Sequence, residues 1–592
     1  MNKKENYKKH TTKGNKTMTK KIKKIIAVLI TAVMMFTIGA TALAADSYDI
    51  VISRPGADTA AHTYTAYKVF SGDKTPSTAD PTQYVLKNID WGNGVDSTAL
   101  LNELKTNTAT KSTFENCSTA QDVANKLETF ASPETFAEIV AKHTATAAAS
   151  VSVAGTDATT ADKTATLTVD SYGYYLITDR VANGSNGAMS DFMLKVVDMH
   201  TATGVKAKEE MPSVDKKIVQ GSSLVEANVA SVGDTVPFRI TSKVPDLKDK
   251  GYNRYWFVVN DKLSKGLAYI PSSLSIKIGG TAFTNFEATT TVNSDGTTSL
   301  EIVFRDFLDI ATSTATIGKD IVIDYNATLT EECDMTATGN PNTVTLTFSN
   351  DPTHEYDGDK PSSPTDPVGV TPEIKTVTYT TGITVIKVDE NGNRLTGAGF
   401  EIELSGTSAN TVVIEKEVYT KDNDDGTYYK LLDGSYTLTA PTEQTKDDYE
   451  SITDKYVLQI VRTTQTVSTD KKLTATVDDQ GYVVFEGLGA GTYTIVEKSA
   501  PTGYNRDPKT YTVTIGNSAD PSLTSPNWEY TVNDGTTTTT SADPVVLRIT
   551  NVKTSNLPET GGMGTTFFYI AGSVLVLAGV TVALAKRKYS EG

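Results

Sequence analysis

Short apolar–polar alternations run through most of this chain and break at Gly, Asp and Asn turns. A period of two, rich in Thr, Val, Tyr and Ile, is the pattern of half-buried β-strands. Near the front it predicts strands at Tyr48–Ser53, Thr63–Phe70, Thr164–Asp170, Gly173–Asp179 and Phe192–Val197. Between them, Ser97–Thr106 and Ala120–His143 follow a helical period, with Leu127, Phe130, Phe136, Ile139 and Val140 on one stripe. Alternation resumes from Val214 to Lys216, at Asp234–Ile240, Tyr255–Val259, Glu301–Phe304, Asp320–Leu329 and Thr343–Ser349. A third set spans Gly382–Lys387, Phe400–Leu404, Ser435–Thr439, Tyr482–Phe485, Thr492–Glu497 and Val545–Asn551. The segment from Asp351 to Pro372, rich in Pro, Asp, Gly and Ser, predicts a linker between the last two sets.

Two apolar runs do not alternate, and they lie at the ends. Ile25–Ala40 follows the basic Lys20–Lys24 and precedes Ala42-Leu43-Ala44. Basic, apolar and small-x-small in that order make a secretory signal peptide, with Met18 as a second possible start and a mature chain beginning near Ala45. Phe567–Ala585 is an uncharged run that, as a helix, spans about 30 Å of hydrocarbon. Lys586-Arg587-Lys588 behind it would hold the C-terminus in the cytoplasm.

The ends change the charge. Residues 1–44 carry net +9 and residues 561–592 net +2 against a whole-chain charge of −16, so the segment between them carries −27. That argues against nucleic acid and anionic membranes as partners of the mature chain. The two cysteines, Cys117 and Cys333, lie far apart and predict no disulfide framework.

The later two alternating sets share a pattern at their edges. Val214-Asp215-Lys216 opens one and Val385-Ile386-Lys387 lies in the opening strand of the other. Each closes on a strand ending in asparagine, Asn350 and Asn551. Alternation puts Asn350 on the face of Leu346 and Phe348, and Asn551 on that of Leu547 and Ile549. Lys217 stands beside Lys216, and Asn340 and Asn342 are further candidates in the same closing strand. A buried lysine is unfavourable unless paired or neutral. Once neutral it is a nucleophile, and a neighbouring carboxyl could polarise an asparagine amide, so that ammonia leaves and an isopeptide bond forms.

Leu557-Pro558-Glu559-Thr560-Gly561, followed by the apolar run and basic tail, resembles the cell-wall sorting signal of Gram-positive surface proteins. The stretches Ile383–Gly392, Leu395–Phe400 and Tyr493–Tyr504 resemble the opening strand and E-box of collagen-adhesin B-type modules. The chain as a whole is similar to the major (shaft) pilins of sortase-assembled pili. Asn260–Leu267 and Asn340–Asn350 resemble the family's second domain, and Tyr64–Phe70 and Gly173–Leu176 its first. The resemblance implies that Glu497 and Asp261 are the acids that promote cross-linking of Lys387 to Asn551 and of Lys216 to Asn350. It implies sortase cleavage between Thr560 and Gly561. It also implies an acceptor lysine in Val205-Lys206-Ala207-Lys208, where Lys208 is preferred over Lys206 although Ala207 replaces the usual proline.

The expected architecture is all-β. It has three tandem Ig-like β-sandwich domains at 45–207 (with a helical insertion), 208–372 and 373–556, between a signal peptide at 1–44 and a sorting signal at 557–592. The expected protein is a structural pilus subunit attached to the cell wall, with sortases, further copies of itself, ancillary pilins and peptidoglycan as partners. The closing strand of the first domain ends Val196-Val197-Asp198 with no equivalent asparagine, so no cross-link is expected there. No cofactor or metal is implied: the five histidines lack ligand spacing, and Asp389–Asn393 fits a hairpin better than a calcium loop. The alternative is a monomeric wall-anchored adhesin or ancillary pilin. A surface hydrolase would need paired catalytic groups that the sequence does not offer.

Overall fold

Strand alternation becomes layered sheets throughout the computed structural model, which describes residues 47–78, 80–197, 205–206, 211–405, 410–432, 434–467 and 472–554. The signal peptide, Lys208, the Leu557–Gly561 motif and the apolar run 567–585 lie outside the described residues. The chain divides into two compact units.

In the first unit, Tyr48–Arg54 pairs antiparallel with Lys163–Val169 and parallel with Val205–Lys206. A five-stranded sheet is built around His62–Pro76 and Gly173–Val181. Tyr48, Ile50, Ile52, Tyr64, Leu167, Tyr175 and Ile177 form one core. A second core lies under the helices, where Leu100, Leu104, Phe114, Phe136 and Val140 meet Phe70 and Leu176. The insertion begins as expected with Ser97–Thr106, capped by Asp96, whose side chain accepts from the amides of Thr98 and Ala99. The stretch read as one helix from Ala120 to His143 is two, Ala120–Leu127 and Pro133–Lys142, with Pro133 starting the second. Cys117 is buried as a free thiol.

The second unit holds two sandwiches with separate cores. In the middle sandwich, a sheet containing Asp215–Gln220, Thr235–Lys243, Asp320–Leu329 and Leu267–Ile278 faces one containing Ile374–Tyr379, Asn340–Ser349, Phe257–Leu263, Thr298–Phe304 and Phe286–Val292. Phe238, Ile240, Phe257, Val259, Ile323, Leu346 and Phe348 fill the space between them. The opening and closing strands therefore lie in different sheets.

The C-terminal sandwich is arranged differently. Its opening strand, Thr381–Asp389, and its closing strand, Val545–Lys553, lie side by side and parallel, with Lys387 opposite Ile549 and Asp389 opposite Asn551. The facing sheet contains Gly399–Ser405, Gly491–Ser499, Thr510–Asn517 and Trp528–Asn533. A long hairpin, Asn410–Lys421 with Tyr456–Val467, extends the first sheet. Asp389 closes the tight turn after the opening strand by accepting from the amides of Asn391 and Asn393.

Two expectations need correction. The segment 351–372 is not a free linker. Tyr356 is buried in it, accepts from the amides of Asn350 and Asp351, and donates to the Pro367 carbonyl. Trp256 packs edge-on against Tyr356 and donates to Gly358 O, and Val368–Val370 adds a strand to the sheet. An aromatic anchor thus overrides a linker-like composition. The expected boundary at residue 373 falls just before a shared strand: Ile374–Tyr379 pairs with Asn340–Val344 in the middle sandwich, while Val377 and Tyr379 pack into the C-terminal core.

Candidate cross-linking sites

Asp215–Gln220 is a short strand whose inward positions are Lys216 and Ile218. Lys216 is fully buried and donates to Asp261 Oδ2 and, at 2.7 Å, to the Tyr325 hydroxyl. The same hydroxyl donates to Asp261 Oδ1 at 2.9 Å. Asn342, also fully buried, donates its Nδ2 to that hydroxyl at 2.7 Å. The lysine and tyrosine come from one sheet, and the aspartate and asparagine from neighbouring strands of the other, where Leu263 stands opposite Asn342. Phe238 and the Tyr325 ring flank the ammonium at 5.2 and 5.1 Å.

Burial dominates the electrostatics. It lowers the Lys216 pKa and raises that of Asp261, each against the pull of the other's charge. Both directions favour a neutral amine beside a protonated acid over an ion pair. Burial, reinforced by Asp261, holds the Tyr325 phenol well above its ordinary value.

The asparagine expected here, Asn350, is not part of this cluster. It lies eight residues along the strand from Asn342, about 26 Å at strand rise, and donates to Gly187 O, in the segment 182–188 of the second unit. The expected face was right, since Asn342, Val344, Leu346, Phe348 and Asn350 share one alternation and are all buried. The end was wrong, because the closing strand faces the opening strand across the sandwich instead of lying parallel beside it. Asn340 bonds the Asp334 and Thr378 carbonyls, away from Lys216. Lys217 faces outward to Asp215 and Glu226. Sequence reasoning also missed Tyr325, although it stands on the inward alternation of Ile321, Ile323 and Ala327.

In the C-terminal sandwich the expected residues meet. Lys387, Glu497 and Asn551 are all buried. Lys387 Nζ donates to Ile549 O at 2.7 Å and lies 3.8 Å from Glu497 Oε1. Asn551 Nδ2 donates to Glu497 Oε2 at 2.9 Å and to Asn505 O at 2.7 Å. The Asp507 amide also holds Glu497 Oε2, at 2.7 Å. Burial lowers the Lys387 pKa to about 8, against the opposing pull of Glu497 and Asp507. Asn551 Oδ1, Glu497 Oε1 and, in the middle sandwich, Asn342 Oδ1 are buried without a hydrogen-bond partner. Leaving such acceptors unpaired is unfavourable, by about 1–3 kcal/mol each. Neither lysine is a snorkelling edge residue.

Of the expected acceptor lysines, Lys206 lies in the short strand opposite Ser53. Among the described residues, no cluster of His, Cys, Asp or Glu is suited to hold a metal ion.

Residues 549–589 match the LPXTG cell wall anchor motif, and residues 454–529 match the SpaA prealbumin-like fold domain. The chain is 25% identical over 409 residues, 64% of its length and 70% of the relative's, to the trypsin-resistant surface T6 protein of Streptococcus pyogenes serotype M6. Among solved structures it is similar to the T6 backbone pilin of serotype M6 Streptococcus pyogenes, at 16% identity and TM-score 0.43, covering 86% of this chain and 99% of that one. It is also similar to the Corynebacterium diphtheriae major pilin SpaA, at 14% identity and TM-score 0.40, covering 86% and 100%.

The anchor motif makes this a surface protein attached to the cell wall. The SpaA domain match and the T6 relative, itself a surface protein, agree with that placement.

Proposed function

We propose that this chain is the shaft subunit of a covalently polymerised pilus, and that its last two domains lock themselves with lysine–asparagine bonds. The observation that carries this reading is the pair of buried lysine–carboxylate–asparagine clusters, each bridging separate strands of its domain. Sealed clusters of this kind suit one internal reaction, not turnover on a diffusing substrate.

In each cluster the neutral lysine Nζ attacks the asparagine Cγ. The Nζ–Cγ bond forms, the Cγ–Nδ2 bond breaks, and the lysine gives up one proton to the neighbouring carboxyl group as the departing ammonia gains one. Folding supplies the proximity. In the C-terminal domain the partners are Lys387 and Asn551, with Glu497 between them. In the middle domain the geometry favours Lys216 and Asn342, with Asp261.

A sortase would cut between Thr560 and Gly561 and join Thr560 to a lysine of the next subunit. Lys208 is the preferred acceptor and Lys206 the second. Terminal subunits would pass to peptidoglycan, and ancillary pilins would join the same fibre. The test is electrophoresis of cell-wall extracts from cells expressing the chain with its sortase. The wild type should give a ladder of SDS-resistant high-mass species that collapses to monomer in Lys208→Ala. A ladder that survives both Lys208→Ala and Lys206→Ala rejects the acceptor assignment. A wild type that runs only as monomer rejects the shaft reading.

A further inference from the structure

The two clusters hold their asparagines differently. In the C-terminal domain the carboxylate touches the amide directly, Asn551 Nδ2 to Glu497 Oε2 at 2.9 Å. In the middle domain the Asn342 amide bonds to Tyr325, and Tyr325 bonds to Asp261. Tyr325 is therefore the one group that touches the nucleophile, the acid and the amide of its cluster. Its ring is fixed by stacking on Phe238 at 5.4 Å and by edge contact with Tyr269 at 5.6 Å.

Resting on the cross-linking reading above, we infer that the Tyr325 hydroxyl is a positioning residue and proton relay for the Lys216–Asn342 bond, and that the C-terminal domain works without such a relay. The hydroxyl holds Nδ2, the atom that must leave. As Lys216 Nζ bonds to Asn342 Cγ, its surplus proton goes to Asp261 Oδ2, already its acceptor, while the acid releases the proton it carried to the Tyr325 hydroxyl through Oδ1. In the planar amide Nδ2 donates to this hydroxyl; once Cγ is tetrahedral Nδ2 has a lone pair and becomes the acceptor, Tyr325 gives it the hydroxyl proton, the Cγ–Nδ2 bond breaks and ammonia departs. The phenol and the acid end as they began, and the net change is one amide exchanged for another with loss of ammonia. A phenol held this far toward its neutral form passes a proton without keeping the anion.

The test is intact mass and peptide mapping of the mature chain made by cell-free synthesis, sampled over time. Each bond lowers the mass by about 17 Da, one ammonia. Tyr325→Phe keeps the ring and removes only the hydroxyl. The middle-domain loss should slow by on the order of tenfold or more, while the Lys387–Asn551 loss in the same molecules keeps its wild-type rate. Phe238→Leu loosens the same ring stack without touching a hydroxyl, and should leave the middle-domain rate within about twofold of wild type, below the effect of a lost proton-transfer group. Equal slowing in both variants would mean that Tyr325 acts by packing alone, and overturns the relay. An unchanged rate in Tyr325→Phe overturns it too, and leaves the cross-linking reading standing. A wild type with no loss at the Lys216 and Asn342 peptides overturns that underlying reading itself.

Discussion

Lys216 and Asn342 stand on facing sheets of the middle sandwich and meet at one phenol oxygen, that of Tyr325. The nucleophile and the amide it would attack are thus brought together by the packing of the two sheets, not by strand pairing. A cross-link here would pin one sheet to the other.

The choice between two asparagines follows from that geometry. Intact wild-type chain should be lighter than its sequence by about 34 Da, the mass of two ammonia molecules. Asn342→Ala should give back about half of that deficit beyond the change of side chain, and Asn350→Ala none. Losing the middle bond opens a closed loop of about 125 residues, which by analogy with a disulfide is worth about 4–5 kcal/mol. Asn342→Ala should therefore melt well below wild type. A full deficit in Asn342→Ala would return the assignment to Asn350 or Asn340.

The C-terminal reaction should depend on pH through its nucleophile. The Lys387 pKa is lowered to about 8, so the amine keeps its proton below that pH and is increasingly free above it. In cell-free product shifted to buffers between pH 6 and 8, formation of the Lys387–Asn551 bond should slow on acidification, by about tenfold per unit well below the pKa. A rate that is flat across that range would show that a free amine is not what limits the step.

Glu486 gives a separate pH signature. Burial raises its pKa from 4.5 to about 7, with Glu415 adding to the rise and Arg462 opposing it. Between these values the folded chain holds a proton that the unfolded chain has released. Stability contributed here is therefore greatest at the acid end and falls as pH rises through the window. The melting temperature should drop between pH 5 and 7.5, and Glu486→Gln should flatten that drop. An identical slope in the variant would assign the effect to other groups.

Much of this was legible in the chain, and the reasons for the exceptions are physical. Asp320–Leu329 was delimited by alternation alone because one of its faces is wholly inside, with Ile321, Ile323, Tyr325, Ala327 and Leu329 buried. Phe286–Val292 was missed because it is exposed on both faces after Phe286, so that no alternation is required of it. The Asn410–Lys421 and Tyr456–Val467 hairpin was missed for a related reason, since much of Tyr456–Val467 is exposed. The lysines and Asn551 were found because a polar residue on an apolar face is anomalous. Asn342 satisfies the same criterion as Asn350, and only the placement of opening and closing strands in different sheets separates them.

Tyr356 is the anomaly that composition concealed. One buried ring with three hydrogen bonds to the backbone at Asn350, Asp351 and Pro367 holds a segment that otherwise reads as tether. Tyr356→Ala should destabilise the middle domain by about 3–5 kcal/mol, the range for truncating a large buried aromatic side chain. It should also expose residues 351–372 to limited proteolysis. Cleavage no faster than in wild type would mean that Trp256 and the Val368–Val370 strand hold the segment without it.

The parallel neighbours Thr381–Asp389 and Val545–Lys553 have a mechanical consequence. With Lys387 joined to Asn551 as proposed, a pull entering at Thr381 would cross to the closing strand at Lys387 and leave by Lys553. Everything from Val388 to Thr550 then hangs beside the load line as slack. That slack includes the long hairpin and its exposed Leu432, Leu438 and Ile452. Sequence there can drift, lengthen or be nicked by a protease while the thread itself stays whole.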